Sequence, residues 1–119
     1  MENYHWLQEY LRIKKGVTED YKAEWDWQRY KVGEKMFAAT MHPSENYAPE
    51  YAGRDLISLK CDPFFSELLQ KEHGEIMPGF YLDKRTWISI DLGGNLPHEL
   101  LKKLVDDSYH LVFQKLTRK

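Results

Sequence analysis

The sequence predicts an α+β domain in which an antiparallel sheet carries helices on one face. Three observations lead there. Apolar stripes at helical spacing mark both ends of the chain, period-2 runs lie between them, and the strand ending in Leu59-Lys60-Cys61 runs into Asp62-Pro63, a helix start. The expected order is α-β-β-β-α-β-β-α.

The first helix is carried by Trp6, Leu7, Tyr10 and Leu11 and stops near Lys14-Lys15-Gly16, where cations suit the helix dipole and glycine suits a left-handed cap. Trp25–Val32 and Lys35–Met41 form a hairpin about Gly33-Glu34. His42–Arg54, with Pro43, Asn46, Pro49 and Gly53, is a long loop. In Asp55–Cys61, Ile57, Leu59 and Cys61 alternate with Leu56, Ser58 and Lys60. Asp62 caps the next helix with Pro63 at its first position, Phe65, Leu68 and Leu69 supply its buried stripe, and Gly74 ends it. A short extended segment at Phe80–Leu82 precedes the strand Thr86–Leu92, whose Ile88, Ile90 and Leu92 alternate with Trp87, Ser89 and Asp91. Gly93-Gly94-Asn95 turns the chain, and the last helix, opened by Pro97, buries Leu101, Leu104, Val105, Leu111, Val112 and Leu116. On this pattern Ile57, Leu59, Cys61, Ile88, Ile90 and Leu92 face the helices. Ser58, Lys60, Trp87, Ser89 and Asp91 then face solvent or a partner.

At 119 residues the chain is one domain, 1–119. Its aromatic content of 14% argues against disorder. Against 19 acidic side chains stand 17 basic ones, a net charge of −2, so the composition lacks the basic excess of proteins that coat DNA. Cys61 alone cannot form an intramolecular disulfide, and Met1–Tyr10 has no signal-segment pattern. A cytoplasmic monomer, without membrane contact or cofactor, is the simple expectation.

Several pieces in order along the chain resemble the MmcQ/YjbR family of small bacterial proteins. They are Gly33-Glu34-Lys35-Met36-Phe37-Ala38, Leu59-Lys60-Cys61-Asp62-Pro63, Pro78-Gly79, Leu82-Asp83-Lys84, Trp87 and Ser108-Tyr109-His110-Leu111-Val112. The resemblance spans roughly Trp25 to the C-terminus and implies a frataxin-like sandwich described as DNA-binding through comparison with a double-winged module. The Ser44–Arg54 loop is longer than the family's usual connection.

A binding face is therefore expected at Lys60, Lys84, Arg85 and Trp87, with Lys31 and Lys35 peripheral. Cations neutralise phosphates, and an exposed indole stacks on a base. The competing reading makes Trp87 a half-buried strand aromatic and Lys84-Arg85 a solvated turn. A protein-interaction or small-ligand module using the same face is the alternative function. Trp25, Trp27, Arg29 and Lys31 share one strand face and extend the surface if that face is open.

Asp106, Asp107 and His110 lie within one helical turn but lack a second His or Cys, so a solvated face is expected rather than a metal site. Glu2, Glu9, Glu19 and Asp20 are interspersed with Lys14, Lys15 and Lys22, a poor match to the acidic ridge with which frataxins bind iron. Cys61 is placed inward by the pleat, and no Ser/His/Asp arrangement emerges, so no catalytic residue and no enzyme are expected.

Overall fold

A computed structural model describes residues 2–117. After a 3₁₀ turn at Glu2–Tyr4, the elements are α1 (Leu7–Arg12), β1 (Val17–Lys22), β2 (Trp27–Val32), β3 (Lys35–Met41), β4 (Leu56–Lys60), α2 (Pro63–Glu72), β5 (Ile76–Pro78), β6 (Trp87–Asp91) and α3 (His98–Thr117). The six strands form one sheet in the order β1-β2-β3-β4-β6-β5, and each neighbouring pair is antiparallel. The α+β class and its helix-covered face stand as expected.

Two elements differ from the sequence reading. Val17–Lys22 is a sixth strand at the sheet edge. Its run Thr18-Glu19-Asp20 lacks apolar alternation, and cross-strand charges hold it instead. Arg29 Nε lies 2.7 Å from Asp20, and Gln28 donates to Glu19 at 2.7 Å. The short strand before β6 is Ile76–Pro78, not Phe80–Leu82, because Ile76 pairs with the buried Ile90. Phe80–Leu82 leaves the sheet plane and folds over it.

The main core lies between the sheet and the helices. Leu7 and Leu11 of α1 and Leu101, Leu104, Val105, Tyr109 and Val112 of α3 meet Tyr30, Val32, Ile57, Leu59, Ile88 and Ile90. Each fully buried Leu or Ile contributes roughly 1.5–3 kcal/mol. α1 is only six residues, too short to persist alone, and tertiary contacts fix it. The Tyr4 hydroxyl donates to the Leu96 carbonyl at 2.8 Å, and the Trp6 indole N–H donates to His98 Nδ1 at 2.8 Å. α2 begins as its sequence dictates: Asp62 accepts from the Phe64 N–H at 2.9 Å, with Pro63 at the first position.

The other face of the sheet is not open along its length. A second core of Trp27, Ala39, Met41, Leu56, Tyr51 and Phe80 lies there, with Met36, Met77 and Leu82 packed against it. Tyr51 comes from the β3–β4 loop and Phe80 from the β5–β6 connection. The sheet is therefore a middle layer with helices on one side and aromatic loops on the other. Among the described residues, no helix is long and apolar enough to cross a membrane.

Candidate binding groove

On the helix-free face, register puts Trp27, Met41, Leu56 and Asp91 in one cross-strand row and Arg29, Ala39, Ser58 and Ser89 in the next. Lys31 pairs with Met36, and Lys60 with Trp87, toward one end of the sheet. The middle of this face lies under Tyr51, Phe80 and Leu82. Ser58 and Ser89, expected at the surface, are fully buried and share a hydrogen bond of 2.7 Å. Ser89 Oγ also accepts from the Phe80 N–H at 2.9 Å, which pins the overlying segment to the sheet.

Where this cover ends, over β2 and β3, a groove of about 730 Å³ remains. Its floor is Trp27, Met36, Met41 and Phe80, and its walls include Trp25, Tyr47 and Tyr81. Those wall rings are 53%, 40% and 73% exposed, high values for large aromatics. Trp25 stands at 5.2 Å from Trp27, edge to face. Tyr81 stacks flat on Phe80, with centroids 4.7 Å apart and planes within 6°, while Tyr47 meets both edge-on at 5.3 and 5.4 Å.

The backbone that presents these rings is unusual. Tyr81 has φ +54° and Asp26, beside Trp25, has φ +59°, the left-handed region that side-chain-bearing residues avoid. The Tyr21 hydroxyl donates to the Asp26 carboxylate and holds that turn.

Charge at the groove is balanced. Arg29 and Lys31 reach Asp20 at 2.7 and 3.1 Å, and the Arg29 hydrogen bond, foremost among several causes, brings the Asp20 carboxyl down to about 2. Glu24, Asp26 and Glu34 also line the groove, and His42 on its rim bonds Asp55 at 2.7 Å. Lys22 and Arg29 already stand over the Trp25 ring at 5.3 and 5.8 Å.

The residues singled out in the sequence fall into three places. Lys31 lines the groove. Lys60 and Trp87 form a pair, the ammonium 5.7 Å from the ring centroid, but Trp87 is only 8% exposed. Its buried ring is not free to stack on a base, which corrects the stacking role expected for it. Gly79 lies against Trp87 so closely that a Cβ there would come within 2.7 Å of the Trp87 Cβ. Burial lowers the Lys60 pKa, and Lys115 and Lys35 act in the same direction. Lys84 and Arg85 are exposed in the turn before β6, where Lys84 donates to the Gly79 carbonyl at 2.8 Å. Lys35 pairs with Val32, whose side chain is in the helix-side core, so it belongs to the other face. The six residues do not share one surface.

Trp25, Trp27 and Arg29 meet at the groove as their spacing allows. Tyr47, Phe80 and Tyr81 were not found from sequence. The adjacent aromatics after Pro78-Gly79 were the available signal. Asp106, Asp107 and Cys61 pack or pair locally. Asp106 bonds the Tyr10 hydroxyl at 2.9 Å and Lys14 at 2.5 Å, and Asp107 bonds Lys103 at 2.8 Å. Cys61 is buried, and desolvation pushes its thiol up to about 11.

The family model YjbR matches residues 12–111. The chain is 31% identical over 103 residues to the uncharacterized protein YjbR of Escherichia coli K12, covering 87% of this chain and 80% of that one. It is 32% identical over 117 residues to the uncharacterized protein YyaQ of Bacillus subtilis, covering 86% and 91%. Among solved structures, Deinococcus radiodurans DR2400, a DUF419 domain, superposes with TM-score 0.78 at 30% identity, covering 95% of this chain and 80% of that one. A Pseudomonas syringae protein, PsR293, gives 0.73 at 26%, covering 87% and 93%.

Proposed function

This chain belongs to the YjbR family, and from that premise we propose that it is a binding protein, without catalysis of its own, that holds bases of single-stranded DNA in the aromatic groove. One observation carries the reading: Trp25, Tyr47 and Tyr81 stand exposed around a floor of Trp27 and Phe80. Stacking on exposed rings contributes roughly 1–3 kcal/mol per base and tolerates any sequence. Duplex DNA hides its base faces, so single strands are the better fit. Lys31 and Lys60, toward one end of the same sheet face, supply phosphate contacts, and Lys84 and Arg85 extend them along the β5–β6 connection.

A second reading places a free planar molecule in the same groove. The acidic Glu24, Asp26 and Glu34 favour it, because they offset Arg29 and Lys31 and leave little net attraction for a polyanion.

Tryptophan fluorescence titrated with a short oligothymidylate separates the two. The DNA reading predicts quenching at low salt, about tenfold weaker binding in Trp25→Ala and Tyr81→Ala, and a shallower salt dependence in Lys31→Ala with Lys60→Ala. A nucleoside that binds as well as the oligomer, with no salt dependence, supports the small-ligand reading. No binding by either, or binding untouched by both aromatic substitutions, rejects the groove as the site.

A further inference from the structure

Tyr81 stands between two grooves. Together with Tyr47 and Phe80 it lines the aromatic groove over β2 and β3, and the same three rings line a second groove of about 540 Å³. They form a ridge that both grooves share. Tyr81 lies flat on Phe80, so one face of its ring is covered while the residue remains 73% exposed. A ring with one covered and one open face is a platform for a further flat group.

The second groove runs between the β3–β4 loop and the β5–β6 connection, lined inside by Tyr51, Met77 and Pro78. The Tyr51 hydroxyl donates to the Pro78 carbonyl at 2.8 Å and ties the two sides together. Lys84 also lines it, and its charge is placed differently from those of the first groove. Arg29 and Lys31 are engaged with Asp20 at 2.7 and 3.1 Å. The Lys84 ammonium instead donates to the Gly79 carbonyl at 2.8 Å and stands 5.7 Å from the centre of the Tyr51 ring. An ammonium has three N–H donors, so Lys84 can still donate to a phosphate oxygen. Glu50 is the acid of this groove, against three in the first.

We propose that the second groove continues the nucleic-acid site: a single strand stacks at Trp25, crosses the Tyr47–Tyr81 ridge and sets a phosphate on Lys84. This rests on the single-strand reading of the first groove and narrows its ligand to an oligomer rather than a mononucleotide. Continuity selects the occupant. A free small molecule fills one groove and leaves the ridge and Lys84 unused, whereas a strand offers linked bases to successive rings and a charged backbone to the cation beyond them. The order Trp25, Tyr81, Lys84 follows the shared lining from one groove into the next. Glu50 opposes the backbone charge in the second groove, which makes it a limit on affinity there.

Binding of thymidylate oligomers, from dimer to octamer, to the intact chain tests this. Affinity should rise about fivefold or more once the oligomer spans both grooves. Lys84→Ala should remove that rise and make the log–log salt dependence of octamer binding shallower by about 0.7, with dimer binding unchanged. Glu50→Gln, which removes a charge from an exposed side chain and keeps its shape, should tighten the octamer and leave the dimer alone. Equal binding of dimer and octamer, with Trp25→Ala still weakening both, overturns the second groove and leaves the single-strand reading standing. A gain with length that neither Lys84→Ala nor Glu50→Gln alters overturns the second groove equally. Absence of binding to every oligomer overturns both.

Discussion

Tyr81 concentrates the argument for the groove in one residue. A left-handed backbone costs a non-glycine residue roughly 1–2 kcal/mol, and Tyr81 sits there at φ +54° with 73% of its surface exposed. Its ring contacts with Phe80 and Tyr47 return roughly 0.5–1.5 kcal/mol each. The two terms nearly offset, so folding alone gives little reason for tyrosine at this position. Tyr81→Gly should therefore leave the urea unfolding free energy within about 1 kcal/mol of the parent, while oligothymidylate binding falls about tenfold. A loss of stability well above that, with binding retained, would make Tyr81 a structural residue. Gly79, two positions earlier, explains why the chain can begin this turn: it lies against Trp87 where no side chain fits. That pairing accounts for both Pro78-Gly79 and Trp87 without any ligand.

At the scale of elements, α3 ties two neighbouring strands together through one side chain. Ser108 is fully buried, donates to the Phe37 carbonyl of β3 at 2.5 Å and accepts the Lys60 N–H of β4 at 2.8 Å. One hydroxyl thus links β3 to β4 at Phe37, the residue whose bulge interrupts the β2–β3 pairing. Ser108→Ala leaves a buried carbonyl and N–H without that partner and should cost about 1–3 kcal/mol in chemical denaturation. A change below about 0.5 kcal/mol would show that the bulge is held by other contacts. Elements with strong periodicity were legible from sequence: the Ile88/Ile90/Leu92 and Ile57/Leu59/Cys61 rows face the helices, and Asp62-Pro63 opens α2. β1 was not legible, since its pairing rests on Arg29–Asp20 and Gln28–Glu19 contacts that exist only once β2 lies beside it. Of the stripe expected to be buried on α2, Leu69 packs on the core while Phe65 and Leu68 are exposed, for a related reason: periodicity shows that a stripe exists, not what covers it.

At the scale of the whole molecule, the decisive feature is that loops cover the helix-free face. Pleat alone places Ser58, Trp87 and Ser89 opposite the helices, and that much was correct. It says nothing of a long β3–β4 loop and a β5–β6 connection closing over them, since those contacts are far apart in the chain and have no period. The cover leaves the part of this face over β2 and β3 open and closes the part over β4 and β6. The exposed aromatics of that face are accordingly Trp25, Tyr47 and Tyr81 rather than Trp87. On the proposed single-strand reading, the net charge of −2 requires stacking to supply most of the affinity, because stacking needs no large basic field.

Amide and indole NMR shifts recorded during titration with oligothymidylate test this placement most directly. The account predicts that the largest perturbations fall on Trp25, Arg29, Tyr47 and Tyr81, with smaller ones at Lys31 and Lys60 and none along α2. Perturbations centred on Lys84 and Arg85 that leave the four groove residues unmoved would contradict it.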